Sequence, residues 1–259
     1  MISVEDTLRV RREQGLGSLV GYFPAGYPSV EESVEALVSL ANGGCNVLEI
    51  GIPYSDPVMD GPVIQRATEL ALANGFKVAD VFHIIRGVRA KSDVPILVMS
   101  YWNPIIAFGL ERFCENLLAA GGQGLITPDL IPDEASTWIH ISDRMKLERV
   151  FLAAPSSSAK RVNSASNASR GFVYAVSTMG ITGERSQLDE LARSVVQKVR
   201  EFGDRPTCVG VGVSTPSQVR EVNSYADGAI VGTAFIRAYE EGGILGLQAK
   251  VTELASGLN

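Results

Sequence analysis

A closed (β/α)8 barrel is the fold class that this sequence predicts, and three observations predict it. Short apolar runs recur along the chain, each followed by a glycine- or proline-containing turn and then by a longer stretch with helical spacing. The runs are continuously apolar and too short for helices, the pattern of parallel strands buried on both faces. The length of 259 residues is that of one such barrel, so residues 1–259 are expected to form a single domain. An open doubly wound sheet is the rival architecture. It usually opens with a Gly-rich dinucleotide turn after its first strand, and GYFPAGYP is not that fingerprint.

Taken in order, residues 3–14 predict an extra N-terminal helix beneath the barrel, with Ser3 as its cap. The expected strands are LGSLVGYF (16–23), NVLEIGI (46–52), PILVMSY (95–101), GLITP (124–128), ERVFLAA (148–154), FVYAVS (172–177), TCVGVGV (207–213) and GAIVG (228–232). Helical spacing falls between them at 29–44, 63–75, 78–91, 110–122, 132–145, 187–203 and 216–226. Ser29 stands where the first of these needs a cap, and Thr215-Pro216 sets proline in a first helical turn. Gly43, Gly75, Gly121 and Gly203 stand where helices should stop.

Composition narrows the function classes. A net charge of −6 argues against a nucleic-acid partner, which calls for a basic face. No apolar run is long enough for a membrane span, and MISVEDTLRVRREQGLG carries acids where a secretory signal needs an apolar stretch. Cys45, Cys114 and Cys208 are widely spaced and odd in number, as expected of reduced, buried thiols in a cytoplasmic protein.

The chemistry is sought at the carboxyl ends of the strands. Glu49 interrupts the otherwise apolar strand 46–52, and the loop after it, PYSDPVMDGP, carries Asp56 and Asp60. By period-two alternation Glu49 shares a face with Val47 and Gly51, directed either into the barrel or into the helix layer. In either place a carboxylate must be paired, satisfied by backbone amides, or shifted in pKa. A structural carboxylate and an acid–base group both meet that condition; the length of the loop and its prolines favour the second. Glycines follow the last three strands, in STMGITGER, VGVGVS and IVGTAF, where barrels hold phosphate and where glycine also serves tight turns. His83 and His140 fall in helical stretches, no cluster has metal-ligand spacing, and Lys160 follows strand 148–154 in a polar segment. Neither a metal, a cofactor nor a Schiff-base lysine is expected, which leaves proton transfer by carboxylates.

The string LEIGIPYSDPVMDGPVIQRA resembles the signature of the tryptophan synthase alpha subunit family. The likeness runs along the whole chain, through AGYPS, MSYWNPI, LITPDLIPDEA, YAVSTMGITGER, VGVGVS and GAIVGTAF. It implies retro-aldol cleavage of indole-3-glycerol phosphate to indole and glyceraldehyde 3-phosphate. Glu49 would then handle the proton at indole C3 and the glycerol hydroxyl, and Asp60 the charge at the indole nitrogen. Tyr22, Met99, Tyr101, Tyr174 and Thr182 would bind substrate, while Gly183, Gly210, Gly212, Gly232 and Thr233 would cradle its phosphate. Pro53 and Asp56 would meet a beta subunit in an α2β2 complex that receives the indole. The chain departs from the familiar pattern at Tyr27, Met59, Thr178, Met179 and Thr233 without losing a catalytic group. A free-standing indole-releasing lyase and a non-catalytic activator of beta are the alternatives.

Overall fold

The computed structural model describes residues 3–176 and 185–258, with the side chains of 185–188 outside the description. Its strands are β1 (Leu19–Pro24), β2 (Val47–Gly51), β3 (Ile96–Met99), β4 (Gly124–Ile126), β5 (Glu148–Val150), β6 (Leu152–Ala153), β7 (Val173–Val176), β8 (Thr207–Gly210) and β9 (Gly228–Val231). All pair in parallel, in the order β5-β4-β3-β2-β1-β9-β8-β7-β6. The two ends of that order are the halves of one expected strand, 148–154, parted by Phe151 alone. Across the break, Thr127 N–H donates to the Val150 carbonyl at 3.3 Å and Tyr174 N–H to the Phe151 carbonyl at 3.1 Å. The ring therefore closes, and the expected barrel is the observed fold.

The helices are α1 (Val4–Glu13), α2 (Val30–Gly43), α3 (Pro62–Ala73), α4 (Asp80–Arg89), α5 (Trp102–Phe108), α6 (Leu110–Ala120), α7 (Ser136–Met145), α8 (Ala159–Ala168), α9 (Arg185–Glu201), α10 (Pro216–Asn223) and α11 (Thr233–Ala255). The expected caps form. Ser29 accepts from Glu32 N–H, and Thr215 makes a reciprocal capping box with Gln218. At the end of α2 the left-handed residue is Gly44 (φ 118°), one position beyond the expected Gly43. Gly43 is still helical and has a different reason to lack a side chain: a Cβ there would lie 2.0 Å from Val251 Cγ1 on α11.

Three helices lie outside the stretches that helical spacing marked. Pro104 sits inside α5 and masks it as a turn. The sequence of α8, AKRVNSASNA, is mostly polar and buries only Val162, Ala165 and Ser166, so its apolar stripe is faint. The chain after β9 runs on as α11, bent at Gly243 (φ 58°).

Inside the barrel, Val20, Val47, Leu97, Ile126, Val150, Phe172, Cys208 and Ile230 point inward from successive strands and form the floor. Helix α1 plugs it from below with Val4 and Leu8, both fully buried. Burial of a leucine of this kind contributes about 2 kcal/mol. Glu148 at the foot of β5 fixes the plug, its carboxylate accepting from Val4 N–H, Glu5 N–H and the Ser3 hydroxyl at 3.0–3.2 Å. Those are the N–H groups a helix start leaves unpaired, so the acid complements the helix dipole as well. With the lower half filled in this way, open space lies towards the carboxyl ends of the strands.

Candidate active site

That space is a cavity of about 830 Å³, and Glu49 stands on its wall. Because Val47 is in the floor, alternation along β2 lifts Glu49 one layer higher on the same inward face. Its neighbours in register are Tyr22 on β1 and Leu97 on β3. The side chain is 1% exposed, and Oε2 has no hydrogen-bond partner among the described residues. Burial, reinforced by the nearby charge of Asp60, pushes its carboxyl pKa from 4.5 up to about 8. Glu49 is therefore a protonated acid at neutral pH, able to give a proton to a carbon that enters the cavity.

Asp60 lines the same cavity from the loop after β2. Burial raises its pKa to about 6, against a hydrogen bond from Tyr101 that lowers it. The Tyr101 hydroxyl also accepts from Met59 N–H at 2.9 Å, and its ring packs on Tyr54 with centroids 5.3 Å apart. Gln65 on α3 donates to the Asp60 carbonyl at 2.8 Å. The loop is thus pinned from both sides of Asp60. At neutral pH the two carboxyl groups are in opposite states, Glu49 neutral and Asp60 ionised. Environments that drive two acids apart in this way separate an acid role from a charge-stabilising role.

Tyr22, Met99 and Tyr174 line the cavity as the sequence suggests, with burial holding both phenols well above their ordinary pKa. Tyr101 does not line it and acts from behind, through Asp60 and Met59. Gly210, Gly212, Gly232 and Thr233 lie together on the wall at the ends of β8 and β9. Their glycines have distinct causes. A Cβ on Gly210 would come within 2.8 Å of the Tyr174 hydroxyl, and one on Gly232 within 2.9 Å of the Tyr22 ring. Only Gly212, at φ 67°, is required by backbone conformation. Gly232 opens α11 with no side-chain cap, so the first N–H groups of that helix face the cavity ready for an anion. Thr178, Met179, Thr182 and Gly183 lie outside the described residues.

Asp56 is exposed on the loop after β2, whereas Pro53 is buried beneath it. His83, His140 and Lys160 are exposed and remote from the cavity lining. Cys45, Cys114 and Cys208 are free and buried. Among the described residues no group of His, Cys, Asp and Glu side chains could hold a metal ion, and no helix is long and apolar enough to cross a membrane. Residues that sequence reasoning missed include Ser214, Ile230, Arg237 and Lys250, all on the cavity wall. Ser214 and Ile230 lie inside the motifs VGVGVS and IVGTAF and could have been found from them. Arg237 and Lys250 sit in the long C-terminal helix, where nothing in the spacing marks them.

A parallel barrel whose mouth sets two carboxyl groups of different pKa beside an uncapped helix start defines the class: a barrel protein with a site suited to proton transfer. Comparison with known proteins gives the particular family. The model of the family "Tryptophan synthase alpha chain" matches residues 8–256. The alpha chain of Leifsonia xyli subsp. xyli is 53% identical over 258 residues, 99% of this chain and 98% of that one. The Mycobacterium avium alpha chain is 48% identical over 95% of this chain and 91% of its own length. A solved structure of Mycobacterium tuberculosis tryptophan synthase superposes with a TM-score of 0.93 at 45% identity, covering 98% of this chain and 97% of that one. A chain of the Pyrococcus furiosus tryptophan synthase complex does so with 0.83 at 32% identity, over 92% and 98%. This chain belongs to the tryptophan synthase alpha chain family. It is a carbon–carbon lyase, and as an alpha subunit it works with a beta subunit.

Proposed function

We propose that the substrate is indole-3-glycerol phosphate and that Glu49 and Asp60 divide its cleavage between them. The observation that carries this reading is the pair of opposed carboxyl states in one cavity. Neutral Glu49 gives its proton to indole C3, which makes the ring a cationic indolenine. Ionised Asp60 stabilises the positive charge at the ring nitrogen, where a fixed anion in a water-poor site acts most strongly. The Glu49 carboxylate then takes the proton of the glycerol hydroxyl next to C3. The C–C bond breaks, its electron pair returns to the ring as indole, and the carbinol becomes the aldehyde of glyceraldehyde 3-phosphate. Glu49 ends protonated, ready for the next turnover, and no other reactant is consumed.

The apolar walls of Tyr22, Met99 and Tyr174 suit the indole ring, and Tyr101 serves by holding Asp60. Gly210, Gly212, Gly232 and Thr233, with Thr182 and Gly183, which lie outside the described residues, bind the phosphate. The barrel acts as one domain, needs no cofactor, and works in the cytoplasm. Its beta subunit docks on the loops after β2 and β4 and on α5, which follows β3. There Asp56 is exposed together with Val58, Ile106 and Ile131, apolar side chains that a partner would cover. Pro53 shapes that loop from beneath.

The test is indole release from indole-3-glycerol phosphate, with and without the beta subunit. Cleavage should be slow alone and at least about tenfold faster in the complex, and Glu49→Gln should abolish it while leaving glycerol 3-phosphate binding within about twofold. Near-normal turnover of Glu49→Gln would remove Glu49 as the proton donor. High turnover of the isolated chain would instead mark a free-standing, indole-releasing lyase.

A further inference from the structure

The cavity does not end at the barrel mouth. It continues along α11, where Arg237, Glu241, Lys250 and Glu253 line it as part of the same space as Glu49 and Asp60. Carboxyl groups therefore outnumber cations on its described wall, in a chain whose net charge is already −6. A phosphate ester carries close to two negative charges at neutral pH, so it enters against the field unless a cation receives it.

The two cations on the wall are not equivalent. Lys250 is engaged, its Nζ 3.0 Å from the Glu253 carboxylate. Arg237 is exposed and makes no ion pair or hydrogen bond among the described residues, even with Glu241 one turn further along the helix. It stands four residues after Thr233, on the same face of α11 as the helix start that opens into the cavity. A guanidinium there has a long, flexible stem and two parallel N–H donors suited to phosphate oxygens.

We propose that Arg237 is a phosphate-recognition residue, which draws the substrate dianion into the cavity and holds its outer oxygens while the α11 start and the glycines hold the inner ones. This rests on the phosphate cradle proposed above. Arg237 touches no reacting atom, so its contribution is to capture rather than to the chemical step. A solvated arginine on a helix face, the alternative role, would leave capture unchanged.

The test uses the complex with the beta subunit and follows indole-3-glycerol phosphate cleavage between about 20 and 400 mM salt, where screening changes most. Arg237→Gln should lower kcat/KM about tenfold at low salt, mainly through KM, and flatten its salt dependence. Arg237→Lys should recover most of the salt dependence and part of the affinity. Inhibition by glycerol 3-phosphate separates the two levels of the proposal. Competitive inhibition of the unmodified enzyme that weakens about tenfold in Arg237→Gln supports both. Equal inhibition of the two proteins, or an unchanged kcat/KM and salt slope, overturns the role of Arg237 and leaves the cradle intact. No competitive inhibition of the unmodified enzyme overturns the cradle and Arg237 together. An unchanged melting temperature of Arg237→Gln shows that the exposed substitution leaves the fold alone.

Discussion

Glu49→Gln should make the protein more stable as well as inactive, and the gain should depend on pH in a calculable way. The folded protein holds the Glu49 proton up to about pH 8, whereas the unfolded chain releases it near 4.5. Below pH 4.5 both states are protonated, and Glu49 contributes no pH dependence. Between 4.5 and 8 only the unfolded chain ionises, so the folded state loses about 1.4 kcal/mol of relative stability per pH unit. The sign is opposite to that of a salt-bridged aspartate, because this pKa is raised rather than lowered. At pH 7 the loss is about 3 kcal/mol, and above pH 8 it levels off near about 5 kcal/mol. Glutamine is neutral throughout and avoids it. Both side chains leave a buried polar atom poorly satisfied, which adds an offset but no slope. Urea unfolding of both proteins, followed by circular dichroism at pH 5, 6, 7 and 8, reads the difference directly. It should widen by about 1.4 kcal/mol per pH unit up to pH 7. A difference that stays flat within about 0.5 kcal/mol would mean that Glu49 ionises freely in the fold, and the acid role derived from its burial would fall.

Three further outcomes follow from the same geometry. The pH profile of kcat/KM should be bell-shaped, rising as Asp60 ionises near about 6 and falling as Glu49 ionises near about 8. The two apparent values belong to the interacting pair. Tyr101→Phe removes the hydrogen bond that lowers the Asp60 pKa, so the acid limb should move to higher pH; an acid limb that stays in place would free Asp60 from Tyr101. Gly51→Ala puts a methyl group 2.2 Å from the Tyr22 hydroxyl, inside the cavity wall. It should cost about 1–3 kcal/mol in a thermal or urea melt and depress kcat strongly, since Tyr22, part of the cavity wall beside Glu49, has to move. Unchanged melting and turnover would show that the wall yields.

The barrel was legible because its strands are buried on both faces and so appear as unbroken apolar runs. Six of the seven breaks between expected strands carry helical spacing, which is a local signal. The elements that escaped are those with weak local signals: α5 with Pro104 inside it, and α8 with few apolar residues. The division of strand 148–154 at Phe151 was also hidden, because a bend leaves the composition of a strand unchanged.

The candidate site divides along a similar line. By itself the sequence determined that Glu49 lies in a buried strand, that Asp60 follows on a long shaped loop, and, through the signature around them, which family the chain belongs to. It left open whether Glu49 faced the barrel or the helices, because alternation fixes which residues share a face and not which face is inside. Only the tertiary structure decided that, by placing Val47 in the floor and Glu49 above it. The structure also decided why the glycines at the ends of β8 and β9 are there, since Gly210 and Gly232 yield to tyrosines from the neighbouring strands β7 and β1. Arg237 and Lys250 reach the cavity through the packing of the C-terminal helix against α2, α3 and β1. A pKa of about 8 is likewise a property of the assembled site: it comes from burial among residues far apart in the chain and from the charge of Asp60, and no local pattern encodes either.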